Sequence, residues 1–519
     1  MKKGDVCEGI IERYDFPNKG SFQVDERKVT IKGALPGQKV KYMVTKKKSG
    51  MAEGKVLEVL ERSPLEDVEP TCPYFGACGG CAYQTMSYDN QLKLKADMVK
   101  ALLDRVLLAE DSNSKDYEWE GILGSPSQTA YRNKMEFTFG DAYKDGPLAL
   151  GLHQKGSFYD ILTVDGCEII GADWSRILTA TLAFFSGRNV PFFHRMRHEG
   201  ILRNLVVRQS RANGQFLINL VTSTQWDTYG FDVKQLLQEF VEMLLELEKS
   251  DAFTGSIAGI LYTENDALGD VVQSDRMELL YGQDYIEEEI LGLKFKISPF
   301  SFFQTNTLGA EILYKTARDF VGETKDKVIF DLYSGTGTIA QMLAPVAKKV
   351  VGVEIVEEAV EAAKVNAELN GLDNCEFIAG DVLKVVDELE DKPDFIVLDP
   401  PRDGIHPKAI QKIIDFVFTV HQMELFQVFD TLQPLFFQFG YIIFIIQTFQ
   451  DLFVTCLCLS IHFFKIMKDI TYTYTVTTHF ISISRTYTFS GSSHFGISFS
   501  SFISSIQNAV SRQNQMSFL

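Results

Sequence analysis

The stretch TCPYFGACGGC sets Cys72, Cys78 and Cys81 at C-x5-C-x2-C spacing in a chain of 519 residues that holds only 8 cysteines. So few cysteines exclude a disulfide scaffold, and clustered thiols in a reducing compartment serve metals or catalysis. A second group with chemical potential begins at FDLYSGTGTIAQ (330–341), where a strand runs into a glycine turn and then a helix. That arrangement turns backbone N–H groups and a helix N-terminus toward a ligand. Gly335, Gly337 and Ala340 also satisfy a dinucleotide fingerprint, so the acidic residues must decide the ligand. Glu354 closes the next strand, where a carboxylate can accept from both hydroxyls of a ribose. Asp381 follows the third strand and Asp399 opens DPPRDG at the end of the fourth. With Asp331 they form a negative rim that suits a nucleoside carrying a positive sulfonium or amine and repels a pyrophosphate. Any one of these carboxylates could be a helix cap; four at successive strand ends argue for a ligand.

The elements that must position these groups can be read from hydrophobic period. From about residue 325, KVIFDLYS, GTIAQMLAPVA, KKVVGVEI, VEEAVEAAKVNAELNG, CEFIAGD and PDFIVLDPP alternate strand and helix, which predicts a parallel sheet covered by helices. Residues 1–60 read as short strands separated by DFPNKGS, LPGQKV and KKSGMAEG, the pattern of a small antiparallel barrel. Residues 85–110 read as helix. The stretch 125–300 reads as strands (KMEFTFG, NLVVRQS, QFLINLVTS, GILYT) with one amphipathic helix, VKQLLQEFVEMLLELEKS.

The net charge of −18 argues against nonspecific coating of nucleic acid. Local basic runs remain, TKKKSG (45–50) and the arginines of FHRMRHEGILRNLVVRQSR (193–211), for which a solvated face and a nucleic-acid patch are both open readings. The start, MKKGDVCEGIIERYDF, lacks the apolar run of a secretory signal, so a cytoplasmic chain is expected. Composition breaks near residue 416. Beyond it only Glu424, Asp430, Asp451, Lys465, Lys468, Asp469, Arg485 and Arg512 carry charge. The uncharged TLQPLFFQFGYIIFIIQTFQ (431–450) is too rich in glutamine for a good hydrocarbon span, and TYTYTVT leaves a β-rich extension open. We read 417–519 as the product of a shifted coding frame and expect no membrane partner.

In combination, SPFSFFQTN (298–306), FDLYSGTGTIA, VGVEI and VLDPPRDGIHP (397–407) resemble the S-adenosylmethionine domain of the RNA uracil-5-methyltransferases. GALPGQKVKYMV resembles their TRAM domain, an OB-like RNA-binding module, while YRNKMEFTFG and GILRNLVVR resemble their central domain. The resemblance spans residues 1 to about 415. It implies a Rossmann-like α/β methyltransferase domain at 301–416, preceded by an OB-like barrel at 1–62 and an α+β central domain at 63–300. It implies S-adenosylmethionine contacts from Gln304, Tyr333, Gly335, Gly337, Thr338, Glu354, Asp381 and Asp399. It also implies a four-iron, four-sulfur cluster on Cys72, Cys78, Cys81 and Cys167. Four thiolates hold such clusters, and Gly76, Gly79 and Gly80 let backbone N–H groups approach the sulfurs; zinc is the alternative for the same thiols. The expected activity is methylation of uridine C5 in RNA, ribosomal (23S) or transfer, by a monomer.

In that family a cysteine thiolate adds to carbon 6 of uracil so that carbon 5 becomes nucleophilic, and a general base then removes the carbon 5 proton. The cysteine is expected a short way beyond DPP and the base near the chain's end. Here FVFTVHQMELFQVFD holds no cysteine, Cys456 and Cys458 lie in apolar FVTCLCLSI, and no Asp or Glu follows Asp469. No catalytic residue is therefore assigned, and a noncatalytic RNA-binding homologue is the rival reading. A nicotinamide oxidoreductase is disfavoured by the DPP strand end.

Overall fold

The computed structural model describes residues 1–108, 117–157, 159–269, 272–322, 324–389 and 391–400, with 405, 409 and 413. Six strands come first: β1 (Val6–Ile10), β2 (Arg13–Asp15), β3 (Lys19–Val24), β4 (Arg27–Lys32), β5 (Lys39–Lys48) and β6 (Met51–Glu61). Their order is β1-β5-β6-β4-β3-β2. The expected all-antiparallel pattern fails at one seam, where β4 and β6 run parallel. β6 inserts between β4 and β5, parallel to the first and antiparallel to the second. Alternation buries Val29 and Ile31 of β4 and Val40, Tyr42 and Val44 of β5. Gly9 of β1 lies so close to the Phe22 ring of β3 that a Cβ there would stand 2.3 Å from it, so the sheet curls onto itself.

After helix α1 (Tyr88–Leu107) comes a seven-stranded sheet of β7 (Lys134–Asp141), β8 (Leu148–His153), β9 (Ile161–Leu162), β10 (Leu202–Gln209), β11 (Gln215–Thr222), β12 (Ser256–Glu264) and β13 (Arg276–Gly282). Its order is β13-β12-β11-β10-β7-β8-β9. Helices α2 (Ala172–Ser186) and α3 (Val233–Glu248) cover one face. There Phe137, Leu205, Ile218 and Ile260 pack against Trp174, Phe185 and Phe240. The sequence led us to expect one helix in this region. α2 escaped because ADWSRILTATLAFFS is rich in β-branched and aromatic residues, which favour strands; burial of Trp174, Ile177, Leu178, Thr181, Phe184 and Phe185 on one stripe makes it helical.

A hairpin, β14 (Ile286–Ile290) and β15 (Leu293–Ile297), leads to α4 (Thr307–Val321) and then to β16 (Thr324–Leu332), α5 (Thr338–Leu343), β17 (Ala347–Glu354), α6 (Glu357–Leu369), β18 (Cys375–Ala379), α7 (Val382–Glu388) and β19 (Phe395–Leu398). The last four strands are parallel in the order β18-β17-β16-β19, a Rossmann-like α/β sheet. Ile286, Ile290, Phe295 and Ile297 of the hairpin share one core with this sheet and α4. Because β16 has β17 on one side and β19 on the other, strand order reverses beside it, and ligands of such sheets lodge at that reversal. No helix among the described residues is long and apolar enough to cross a membrane. The readings of 417–519 lie outside the described residues.

Candidate functional site

At the reversal, Tyr333, Gly335 and Gly337 all take positive φ (67°, 54° and 70°) and carry the chain from β16 into α5. The two glycines serve different ends. A Cβ on Gly337 would meet the Phe377 ring at 2.4 Å, whereas one on Gly335 would meet nothing within 4 Å. Gly335 therefore borders open space where a ligand can approach the backbone. Tyr333, whose left-handed backbone costs energy in a residue with a side chain, is held by its N–H donating to Val353 O at 2.9 Å; Ser334 N–H donates to the same oxygen at 3.0 Å.

The acidic groups converge on this turn. Glu354 Oε2 accepts from Gly335 N–H at 3.0 Å, and its Oε1 accepts from Ile355 and Val356 N–H at 2.8 and 3.0 Å. A carboxylate offers about four acceptor positions, which leaves capacity for a ribose hydroxyl. Asp331 is fully buried, its Oδ2 accepting from Ala340 N–H at 2.9 Å while Oδ1 has no partner. Burial pushes its carboxyl up to about 7 against the Ala340 hydrogen bond, and the charges of Asp399 and Glu354 add to the rise. Asp399, half-buried beyond β19, is pushed up to about 6 by burial. Burial also raises the Tyr314 hydroxyl on α4, with Asp399 and Asp331 adding and a hydrogen bond from Gln304 opposing. Tyr333 rises to about 12 through burial and then the charge of Asp381. Asp381 caps α7, accepting from Leu383 N–H at 3.0 Å, so for this residue the cap reading holds as well. Thr338 is buried at the first turn of α5. Asp331 is sealed beneath the turn, and with Asp399 and Glu354 it makes the turn electronegative, an environment that favours a positively charged ligand.

SPFSFFQTN, which carries Gln304, is gripped by the central sheet. Buried Arg208 donates through Nε to Pro299 O at 3.0 Å and through Nη2 to Ser301 O. Asn133, also buried, donates through its backbone to Thr305 O at 2.9 Å, and through Nδ2 to Gln304 O and Thr307 Oγ1, both at 2.9 Å. Thr307 Oγ1 in turn donates to buried Glu288 at 3.0 Å. Two members of the basic run 193–211 thus form neither a solvated face nor an exposed patch: Arg208 anchors this loop, and Arg203 donates to Ala267 O and Gly269 O at 2.8 and 2.6 Å.

Cys72, Cys78, Cys81 and Cys167 are all reduced and half-buried. Cys78 Sγ accepts from Gly80 N–H at 3.3 Å. Burial raises the Cys81 thiol and pushes Cys167 up to about 11, and the other cluster thiols add to both shifts. The fold therefore brings Cys167 to the distant triplet. Among the described residues, no three His, Cys, Asp or Glu side chains stand close enough to hold one metal ion. A single zinc would need sulfurs about 3.8 Å apart, from Zn–S bonds of about 2.3 Å. An iron–sulfur cluster takes one thiolate per iron, and these four cysteines supply four such donors.

Residues 323–444 match the family model of a methyltransferase domain. An uncharacterized RNA methyltransferase of Clostridium tetani is 49% identical over 416 residues, covering 80% of this chain and 87% of its own length. A counterpart from Caldanaerobacter subterraneus is 48% identical over 416 residues, covering 80% and 88%. This chain belongs to the RNA methyltransferases. The solved tRNA (uracil-54, C5)-methyltransferase of Pyrococcus abyssi, in complex with S-adenosyl-L-homocysteine, superposes with a TM-score of 0.57 at 23% identity, covering 78% of this chain and 86% of that one, which shows the shared fold.

Within this methyltransferase, Tyr333, Gly335, Gly337, Thr338, Glu354, Asp381 and Asp399 lie on or next to the C-terminal ends of β16 to β19, and Gln304 joins them through Tyr314. Tyr314 and Asn133 are not singled out by the sequence reading, and Arg208 enters it only as one of a basic run. The stripe Thr307, Ala310, Tyr314, Ala317 and Val321 of α4 was a signal for Tyr314, as a polar-tipped aromatic on an otherwise small-residue buried face.

Proposed function

We propose that this RNA methyltransferase takes its methyl group from S-adenosylmethionine and acts on carbon 5 of uridine, with 23S ribosomal RNA as the first substrate to test and transfer RNA the second. The observation that carries the cofactor reading is the convergence of Glu354, Asp399 and Asp331 on the glycine turn, beside open Gly335. A sulfonium nucleoside brings a positive charge to that rim. Glu354 would accept from its ribose, Asp381 and Tyr333 would border the same turn, and Gln304 and Asp399 would face the reacting end. The uridine assignment is supported by the joint presence of SPFSFFQTN, YRNK and DPPRDG, and by the neighbour from P. abyssi, whose own substrate is uracil 54 of tRNA.

In this reading residues 1–62 are the TRAM barrel, 63–300 the central domain and 301–416 the methyltransferase domain of a cytoplasmic monomer. Cys72, Cys78, Cys81 and Cys167 hold a four-iron, four-sulfur cluster, which supplies a rigid four-point tether between the CGGC loop and the Cys167 loop.

The uridine reaction also needs a nucleophilic cysteine, and between Cys375 and Cys456 there is none. The frame-shift reading of 417–519 accounts for that gap. The test is transfer of radiolabelled methyl from S-adenosylmethionine to uracil-containing rRNA and tRNA fragments. It is run with this chain and with the chain encoded after resequencing the codons for residues 405–430. Label at uridine C5 with the corrected chain alone supports both readings. A confirmed sequence that binds S-adenosylhomocysteine and RNA without transferring label establishes the noncatalytic homologue instead. Label on another base overturns the uridine assignment.

A further inference from the structure

The face of the central sheet turned away from α2 and α3 carries a second recess, apart from the cofactor turn. Glu136 and Thr138 of β7 and Asn204 of β10 lie on that face, because they alternate with Met135, Phe137, Phe139 and Leu205 of the helix-covered core. With Phe193, Arg195 and Arg203 they line a cavity of about 150 Å³. Strand alternation would send Arg203 to the opposite side from Asn204. The register of β10 against β11 slips between Leu202 and Asn204, and a bulge of this kind re-aims a side chain, so both residues reach the same cavity. Arg203 is fixed there by the Ala267 and Gly269 carbonyls, and its guanidinium lies 4.3 Å from the centre of the Phe193 ring. Asn204 Nδ2 is oriented toward Thr138 Oγ1 at 3.4 Å, and Glu136 pairs with Lys134 at 2.6 Å.

We propose that this cavity receives one unstacked base of the RNA strand, a near neighbour of the nucleotide presented to the cofactor; the proposal rests on the RNA reading above. Single-stranded RNA is read by stacking splayed bases on aromatic rings and guanidinium planes and by hydrogen bonds to their edges. The Arg203–Phe193 pair supplies the plane. The Asn204 amide and the Glu136 carboxylate supply edge partners, and a carboxylate accepts from an exocyclic amino group, so adenine or cytosine fits better than uracil. Position also favours this ligand. Arg208, which grips the cofactor loop, and Asn204 lie on the same side of β10 four residues apart, roughly 13 Å along a strand. A few nucleotides of stacked strand, at about 3.4 Å each, cover that span.

The test uses the full chain and fluorescently labelled single-stranded RNA, read by anisotropy, with one oligonucleotide series scanned by an abasic nucleotide and by each base. In the wild type, one position should lose about tenfold in affinity when made abasic, about 1.4 kcal/mol. Asn204→Ala should lose a similar factor on the intact strand and nothing further on the strand abasic at that position. Glu136→Gln should flatten the preference for adenine or cytosine there. Thr138→Val, which leaves Asn204 in place but removes its support, should show a smaller loss, and S-adenosylhomocysteine affinity should be unchanged in all three variants. Variants that bind every strand like the wild type, with intact cofactor binding, overturn the cavity assignment while leaving the methyltransferase reading standing. A wild type that binds S-adenosylhomocysteine but no RNA overturns the RNA reading and this proposal with it.

Discussion

Asp331→Asn should stabilise the free protein at neutral pH while weakening its hold on a cationic nucleoside. The folded chain keeps the Asp331 proton up to about 7, against an ordinary value of 3.8, chiefly because the carboxyl is buried. As pH rises from about 4, the unfolded chain has released this proton and the folded chain has not, so stability falls across the window from 4 to 7 and is level above it. At about 1.4 kcal/mol per pH unit, ionised Asp331 costs the folded state on the order of 4 kcal/mol. Asparagine keeps an acceptor for Ala340 N–H and never ionises. The difference in unfolding free energy between variant and wild type, from urea titrations between pH 4 and 8, should therefore grow in the variant's favour and level off near pH 7. Calorimetric titration supplies the second half. Wild-type affinity for S-adenosylmethionine should strengthen as pH passes about 7, the variant's should not, and the contrast should shrink for S-adenosylhomocysteine, which lacks the sulfonium. A difference in stability that stays flat with pH, or a variant less stable than the wild type at pH 8, would refute the reasoning, because it would mean that Asp331 is ionised and satisfied within the fold.

Four other substitutions probe the same architecture. Gly335→Ala meets open space at φ 54°, so it should cost only about 1 kcal/mol of stability yet sharply reduce S-adenosylhomocysteine binding. Gly337→Ala, 2.4 Å from Phe377, should lower the melting temperature first. Asn133→Ala strips hydrogen bonds from Gln304 O and Thr307 Oγ1; at about 1–3 kcal/mol for buried groups left unpaired, it should weaken S-adenosylhomocysteine by at least fivefold, read by calorimetry. Cys81→Ser should abolish the visible absorbance of anaerobically purified protein, and stoichiometric zinc without that absorbance in the wild type would establish the zinc alternative.

The parallel sheet was legible because its strands are short apolar runs, each followed by a helical period, and because the residues proposed to face the ligand sit at strand ends fixed by that rhythm. Asp331, Glu354, Asp381 and Asp399 could be placed without any tertiary contact. What stayed hidden depends on contacts far apart in sequence. Asn133 meets Gln304 across 171 residues, and nothing local to YRNK marks it as the support of a cofactor loop. Arg203 and Arg208 read as members of a basic run because charge is visible in sequence and burial is not. The parallel β4–β6 seam was invisible for a related reason, since alternation fixes which face a residue takes and leaves the choice of neighbouring strand to packing.

The four residues from Ala130 to Asn133 join the Cys167 loop to the loop that carries Gln304. On one side Ala130 N–H donates to Glu168 O at 2.8 Å and Arg132 N–H to Ile169 O at 3.0 Å, directly after Cys167; on the other, Asn133 N–H donates to Thr305 O at 2.9 Å. Arg132 also bridges to Asn306, the N-cap of α4. Arg132 and Asn133 are consecutive, so the Cys167 loop and the Gln304 loop are held by neighbouring residues of one backbone segment. Whatever ties Cys167 to Cys72, Cys78 and Cys81 therefore bears on the placement of Gln304 without touching the reacting atoms. The consequence is specific. Cys81→Ser should weaken S-adenosylhomocysteine in the same direction as Asn133→Ala, and the double variant should lose less than the two single losses combined, because both act through one segment. Strictly additive losses would separate the thiol cluster from the cofactor loop and leave it a staple of the central domain alone.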